Sequence, residues 1–393
     1  MTSAAEPARL PAAAWTGRKD LAGLVAALGP GMARYVGGAV RDTLLGLAVK
    51  DIDVATPLAP EQVMARCEAA GIKALPTGIA HGTVTAVLPG GNVEITTLRH
   101  DVATDGRRAE VAFTEDWQGD AARRDFTINA LYADPASGEV HDWFGGLDDL
   151  AARRVRFIGD ARARIREDHL RILRYFRFQA RFGSLPADAG AEAACRELAP
   201  TLKALSRERI GMELLNLLGL PDPAGTVARM AELGVLAVIL PEADPAALAA
   251  LIAAERREAV APDALRRLAA LLPADASLAE QVAARFRLSG AQRKRLALAA
   301  ARGGTAGDAR ELAYRLGRES AIDRLLLTGG ETCALEGWDM PRFPLKGGAI
   351  VARGVRAGPE VARILQAVEA RWVAEGFPDA RRVDELLDAL LPR

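Results

Sequence analysis

The sequence predicts a mixed α/β head over residues 1–150, followed by an all-α remainder over residues 151–393. Three observations carry this reading. Short apolar runs bounded by glycine turns fill the first part of the chain, as the strands of a sheet require. From Ala151 the composition shifts to Ala, Leu and Arg at helical spacing, broken at Pro186, Pro221 to Pro223, Pro241, Pro262, Pro273 and Gly303-Gly304. At 393 residues the chain is too long for one ordinary domain, and it is half apolar with a balanced formal charge, which reads as globular and mostly helical.

Composition excludes some classes and leaves others open. A net charge near zero does not argue against a nucleic-acid partner, because local patches decide that. Cys67, Cys195 and Cys333 lie far apart without paired spacing, which suggests reduced thiols in a cytosolic protein. His81, His100, His141 and His169 show no metal-ligand spacing. No apolar run approaches a membrane span, and Met1 to Pro11 lacks the charged start and apolar core of a signal peptide. A cytoplasmic protein with no membrane partner is expected; its oligomeric state is left open.

Residues near 12–29 read as a short amphipathic helix leading into the strand Arg34-Tyr35-Val36. Gly37 and Gly38 then let backbone N–H groups approach a ligand closely, and the N-terminus of the helix Val40 to Leu45 favours an anion. In Lys50-Asp51-Ile52-Asp53-Val54, Asp51 and Asp53 share one strand face while Ile52 and Val54 point into the core. Two carboxylates beside a phosphate-sized glycine loop make a divalent-metal site for phosphoryl chemistry. Taken singly, each pattern is common and reads as a glycine turn or a solvated strand edge. In order and at this spacing, Gly37-Gly38-x-Val40-Arg41-Asp42 with Lys50-Asp51-x-Asp53 resembles the first motif of the bacterial and eukaryotic (class II) tRNA nucleotidyltransferases and their poly(A) polymerase relatives.

Ala59 to Ala70 has helical periodicity and ends at Gly71. Strands are expected at Ile72 to Leu75, Thr83 to Leu88 and Asn92 to Leu98, with a Gly90-Gly91 hairpin turn between the last two. Within the final strand Glu94 faces away from Val93, Ile95 and Thr97. A charge on a central strand is costly without a partner, so Glu94 is either a third acidic member of the metal site or the partner of an arginine such as Arg41 or Arg99. Arg99 to Trp117 is polar and weakly periodic, and reads as a mobile loop. Its bland reading is a surface connection. The resemblance implies instead, through Arg99, Asp101, Asp105 and Arg107, the flexible loop that the family needs for its last step.

Arg123-Arg124-Asp125-Phe126-Thr127-Ile128-Asn129-Ala130 alone would be a solvated helix start. As a complete string it is similar to the family's second motif, which holds the ribose and phosphates of a nucleotide. Arginine suits phosphate through its planar fork, and Asn129 offers donor and acceptor to sugar hydroxyls. Ile128 to Tyr132 and Gly138 to His141 are expected to pair as the last strands, and Trp143 to Leu150 to close the head. From Ala151 to Phe182 ten arginines stand against three acids, an excess of seven positive charges. That suits a polyanionic substrate, or else is a solvated helix face. There Glu167-Asp168-x-x-Arg171 to Arg174 reads as one helix with Asp168 and Arg171 as i, i+3 neighbours. The bland account is an intrahelical ion pair; the resemblance implies the family's nucleotide-selecting motif.

Beyond Gly183 no repeat stands out. Glu232 to Leu236 and Leu240 to Glu242 are similar to the family's middle region, and Phe343 to Arg393 to its tail, with departures. No downstream His-Asp metal pair is found, so the phosphohydrolase domain of some bacterial members is not expected. The specific motifs span roughly residues 35–180, and the run Gly82 to Arg99 is nearest to the mitochondrial-type branch. The resemblance implies an α/β nucleotidyltransferase (polymerase beta-like) head (1–150) followed by an all-α neck (151–220), body (221–340) and tail (341–393), and template-independent addition of CCA to tRNA 3′ ends from CTP and ATP, releasing pyrophosphate. Asp51 and Asp53 would hold Mg²⁺, one ion acting on the 3′-hydroxyl and another on the leaving pyrophosphate; Gly37, Gly38, Arg41 and Arg174 join the nucleotide site. Direct displacement requires no nucleophilic side chain. Poly(A) polymerase shares every head motif, so these residues exclude neither it nor a partial CC- or A-adding enzyme; the full-length loop and the mitochondrial-type resemblance favour CCA addition. A binding-only RNA module would not need both carboxylates.

Overall fold

The computed structural model describes residues 8–104, 109–302 and 308–391. Helix α1 (Lys19–Leu28) buries Leu21, Leu24 and Leu28 on one stripe and leads into β1 (Arg34–Val36). Then follow α2 (Gly38–Leu44), β2 (Ile52–Thr56), α3 (Pro60–Ala69), β3 (Lys73–Gly78), β4 (Thr83–Val87) and β5 (Val93–Thr97). Next come β6 (Arg99–Thr104), β7 (Ala109–Phe113), α4 (Trp117–Ala122), β8 (Tyr132–Ala133), β9 (Val140–His141) and α5 (Gly146–Ala151). Among the described residues one sheet runs in the order β3-β4-β5-β2-β1-β8-β9. Only β2 and β5 pair in parallel; the other neighbours are antiparallel.

Register places the chemistry. Val36, the last residue of β1, lies opposite Asp53 on β2, so the glycine turn leaves the sheet beside the carboxylates. Across the parallel pair Asp53 lies opposite Glu94. Ile52 and Val54 are buried while Asp51 and Glu94 are exposed and Asp53 is half-buried, as the period of two requires. Exposure spares Glu94 the burial cost expected on a central strand.

The segment after β5 differs from its sequence reading. Arg99–Thr104 and Ala109–Phe113 are not irregular: they pair as a two-stranded antiparallel ribbon, β6 with β7, with a register shift between Asp101 and Ala103. Its polar composition hid the alternation on which strand recognition depends. Asp105 and Arg107 lie outside the described residues, and Asp101 is placed only by its backbone in β6.

The remainder is helical. Helices α6 (Ala161–Glu167), α7 (Arg171–Phe182), α8 (Ala189–Leu198), α9 (Arg207–Leu218), α10 (Ala224–Glu232) and α11 (Val235–Ile239) follow the head. Then come α12 (Pro245–Arg257), α13 (Ala264–Leu271), α14 (Ala276–Arg285), α15 (Gly290–Ala300), α16 (Ala309–Leu316), α17 (Arg318–Leu327), α18 (Gly347–Ala352), α19 (Pro359–Ala374) and α20 (Ala380–Asp388). Two compact units result: Met1–Leu217 with Gly225–Pro241, and Leu218–Ala224 with Glu242–Arg393. The first holds the sheet, the ribbon and α1 to α11, apart from Leu218 at the end of α9 and Ala224 at the start of α10. The second is built around an ionic cluster. Arg266 of α13 meets Glu255 of α12 at 2.8 Å and Asp323 of α17 at 2.9 Å, all three buried. Arg267, 1% exposed, also pairs with Glu255 and donates to the carbonyl of Leu218 at 2.8 Å. Among the described residues no helix is long and apolar enough to cross a membrane.

Candidate functional site

In the first unit a cleft of about 680 Å³ opens at the end of β1 and β2. Gly37 and Gly38 form one wall. Gly37 sits at φ +67° and ψ −121°, a conformation that a side chain would strain. A Cβ there would stand 3.5 Å from Arg124 Nη1, so the turn lies directly against that guanidinium. Asp51 and Asp53 form the floor. Burial, then the carboxylate of Glu94, raises the Asp53 pKa above its ordinary value, with Arg124 opposing and Asp51 adding to the rise. Neither the Asp51 nor the Asp53 carboxylate takes a hydrogen bond or ion pair among the described residues. The floor therefore carries surplus negative charge presented by hard oxygen donors. Among the described residues no three potential ligands converge on one point, and Glu94, in register with Asp53, is not part of the cleft lining described. Two carboxylates suit a divalent cation that completes its shell with phosphate and water.

Arg123 and Arg124 enter from the segment after α4, and Asp168, Arg171 and Arg174 from α6 and α7. The structure thus brings Gly37, Gly38, Arg41, Asp51, Asp53, Arg123, Arg124, Asp125, Asn129, Asp168, Arg171 and Arg174 to one opening. Several of these support the site rather than face it. Arg41, 6% exposed, donates to Asp42 at 2.8 Å and to the Asn129 side-chain oxygen, over the ring of Phe182 at 4.1 Å. It does not pair with Glu94. The Asn129 amide donates to Asp125 at 3.0 Å, and Arg174 forks onto Asp125 at 2.6 and 2.8 Å. Burial alone would raise the Asp125 pKa, but the Arg174 charge and the hydrogen bonds from Asn129, Arg174 and the Phe126 amide hold it at about 2. Arg99 donates to the His81 carbonyl and lies at the ribbon root.

The expected continuous helix over Glu167 to Arg174 is broken. Asp168 ends α6 with extended φ −147° and ψ 107°, and its carboxylate accepts from the Leu170 amide at 3.1 Å. Aspartate competes for backbone donors in this way and so favours such breaks. The Asp168 to Arg171 ion pair is accordingly not formed. Arg171 pairs with Glu167 and donates to the carbonyls of Arg164 at 2.9 Å and Arg123 at 3.1 Å. Asp168 pairs with Arg209 of α9 at 2.7 Å.

Arg209, Arg177, Phe178 and Leu170 also line the cleft and were not singled out from sequence. Arg177 is held by Glu213 of α9 at 2.7 Å, and the Phe178 ring carries Arg41, Arg174 and Arg177 at 4.9 to 5.7 Å. The Arg209 and Glu213 spacing of four puts both on one helix face, a signal that gains meaning only once α9 is known to pack there.

Comparison with known proteins gives two family matches. Residues 33–156 match the poly A polymerase head domain, and residues 188–247 match the probable RNA and SrmB-binding site of polymerase A. The mitochondrial CCA tRNA nucleotidyltransferase 1 of Danio rerio is 36% identical over 378 residues, covering 91% of this chain and 86% of that protein. Its Homo sapiens counterpart is 36% identical over 372 residues, covering 90% and 85%. Among solved structures, the Bacillus stearothermophilus CCA-adding enzyme in complex with CTP matches with TM-score 0.76 and 28% identity, covering 94% of this chain and 97% of that one.

Proposed function

The chain belongs to the family of class II tRNA nucleotidyltransferases and poly(A) polymerases, and from that premise we propose that it adds CCA to tRNA 3′ ends from CTP and ATP, with Mg²⁺ as its cation. The observation that carries the reading is the single cleft that gathers the aspartate pair, the double arginine and the Asp168/Arg171 break. Mg²⁺ held by Asp51 and Asp53 would neutralise phosphate charge and lower the pKa of the attacking 3′-hydroxyl. The protein's own residues do the rest. Arg123 and Arg124 bind the triphosphate with planar, charge-assisted hydrogen bonds, and the Gly37 turn lets it approach the backbone. Asn129, fixed between Arg41 and Asp125, orients the sugar. Asp168 and Arg171 read the base edge, the carboxylate accepting from an exocyclic amine and the guanidinium donating to a ring nitrogen. Both groups are anchored from behind, so they select the base from the protein side, without a template strand. Pyrophosphate leaves by direct displacement, and no side chain is acylated or phosphorylated.

The test offers radiolabelled CTP and ATP to tRNAs ending before, within and after the CCA triplet. Two cytidines and one adenosine, then arrest, are expected. Long adenosine tails on arbitrary RNA would replace this reading with poly(A) polymerase, and cytidine alone with a partial adding enzyme.

A further inference from the structure

Arg123 and Arg124 are held in place by a buried carboxylate that stands outside the cleft lining. Asp120, 1% exposed, ends its side chain between three elements. Its Oδ1 accepts from Arg123 Nε at 2.9 Å and Nη2 at 2.7 Å, and from the backbone N–H of Arg99, the first residue of β6, at 3.1 Å. Its Oδ2 accepts from Arg124 Nη2 at 3.3 Å and from the Tyr132 hydroxyl, which in turn accepts from Arg124 Nε at 2.9 Å. Burial opposes the charge on Asp120, yet the two guanidinium groups and these hydrogen bonds keep its pKa below the ordinary value. The ribbon root has a second seat. Phe113 pairs with Arg99 across the ribbon and lies against Gly82, where a Cβ would come within 2.8 Å of the ring. Gly82 also adopts φ +78°, open to glycine at little cost. From Arg123 the chain of contacts continues, since its carbonyl accepts from Arg171 Nη2 at 3.1 Å.

We propose that Asp120 is a positioning residue for nucleotide transfer: it aims Arg123 and Arg124 at the triphosphate and registers them, and Arg171 through the Arg123 carbonyl, against the root of the β6–β7 ribbon. The proposal rests on the reading of the cleft as the nucleotide site. An arginine whose Nε and Nη2 both donate to one carboxylate oxygen, as those of Arg123 do, loses rotational freedom before the ligand arrives. A carboxylate serving only the fold would have no need to meet two cleft arginines and a ribbon amide at once.

Asp120→Asn keeps the shape and removes the charge. It should raise the KM for both CTP and ATP at least tenfold, with kcat changing less. Tyr132→Phe leaves Asp120 in place and frees Arg124 Nε; a smaller, severalfold rise in KM is expected, and this variant decides the matter if Asp120→Asn does not fold. A lowered melting temperature with KM unchanged in both variants would overturn the positioning role. Registration is tested by a double-mutant cycle with Gly82→Ala, which displaces Phe113 from the ribbon seat. Non-additive losses in ATP incorporation are expected for Gly82→Ala with Asp120→Asn, or with Tyr132→Phe where only that variant folds; additive ones would overturn the link to the ribbon. Wild-type protein assayed in parallel separates the two readings: if it adds neither nucleotide to tRNA, the cleft assignment fails first.

Discussion

Asp53 carries its charge against the preference of the folded protein. Its folded pKa lies above the ordinary 3.8, because burial and the neighbouring Glu94 and Asp51 carboxylates disfavour ionisation. The folded state thus holds the Asp53 proton more tightly than the unfolded chain does, and this contribution favours folding most below 3.8 and fades as pH rises through the raised value. Asp53→Asn should therefore melt slightly above wild type at neutral pH without divalent cation, with the gap closing on acidification below 3.8. The same variant, and Asp51→Ala, should lose about 100-fold or more of nucleotide transfer, and added Mg²⁺ should raise the melting temperature of wild type alone. Asp125 has the opposite sign. Its pKa is held at about 2, so the stability it brings is complete above 3.8 and is lost as pH falls through about 2. Asp125→Asn should cost about 2 kcal/mol at neutral pH from this linkage, and denaturation at several pH values should show the difference from wild type shrinking across that acidic window.

At the scale of elements, the break between α6 and α7 removes Asp168 from the helix and turns it toward Arg209. An intrahelical ion pair is thereby excluded as its reason for being there. A carboxylate has about four lone-pair sites, so Asp168 keeps acceptors for an exocyclic amine after meeting Arg209 and the Leu170 amide. Uracil would face it acceptor to acceptor, and guanine would oppose both Asp168 and Arg171. Each buried polar group left unpaired costs about 1–3 kcal/mol. Asp168→Ala should weaken CTP and ATP use about tenfold or more and relax rejection of UTP and GTP; unchanged selectivity in a four-nucleotide competition would exclude base reading. Shortening the β6–β7 ribbon should impair ATP incorporation more than CTP incorporation, measured on separate tRNA acceptors. How far these elements can be read from the chain follows from locality. Gly90-Gly91, the alternation at Val93 to Thr97 and the paired aspartates declare themselves within a few residues, and they reappear as β4, β5 and the cleft floor. The break at Asp168 is masked by the helix formers around it. The ribbon is masked by its polar residues. Arg209 and Glu213 reach Asp168 and Arg177 from about 40 residues downstream, a distance at which only the packed structure assigns a partner.

For the molecule as a whole, the two units are stabilised differently. The first closes over a sheet, whereas the second encloses Glu255, Arg266, Arg267 and Asp323 away from solvent. Removing one partner of a buried pair strands the other and costs about 3–5 kcal/mol. Glu255→Gln should lower the melting temperature of the helical unit by about 10 °C while the KM for CTP stays as in wild type; a rise in that KM would mean that the cluster acts on the cleft. The path of the chain has a consequence of its own. Residues 225–241 return to the first unit after 218–224 have already joined the second, and Arg229 of the returning segment ties back to Glu192 of α8 at 2.6 Å. During synthesis, then, the catalytic half is not finished when its last cleft residue leaves the ribosome. It waits for some thirty residues more, at roughly 5–20 residues per second, so a nascent chain stalled near 217 should remain sensitive to protease where one stalled well beyond 241 does not.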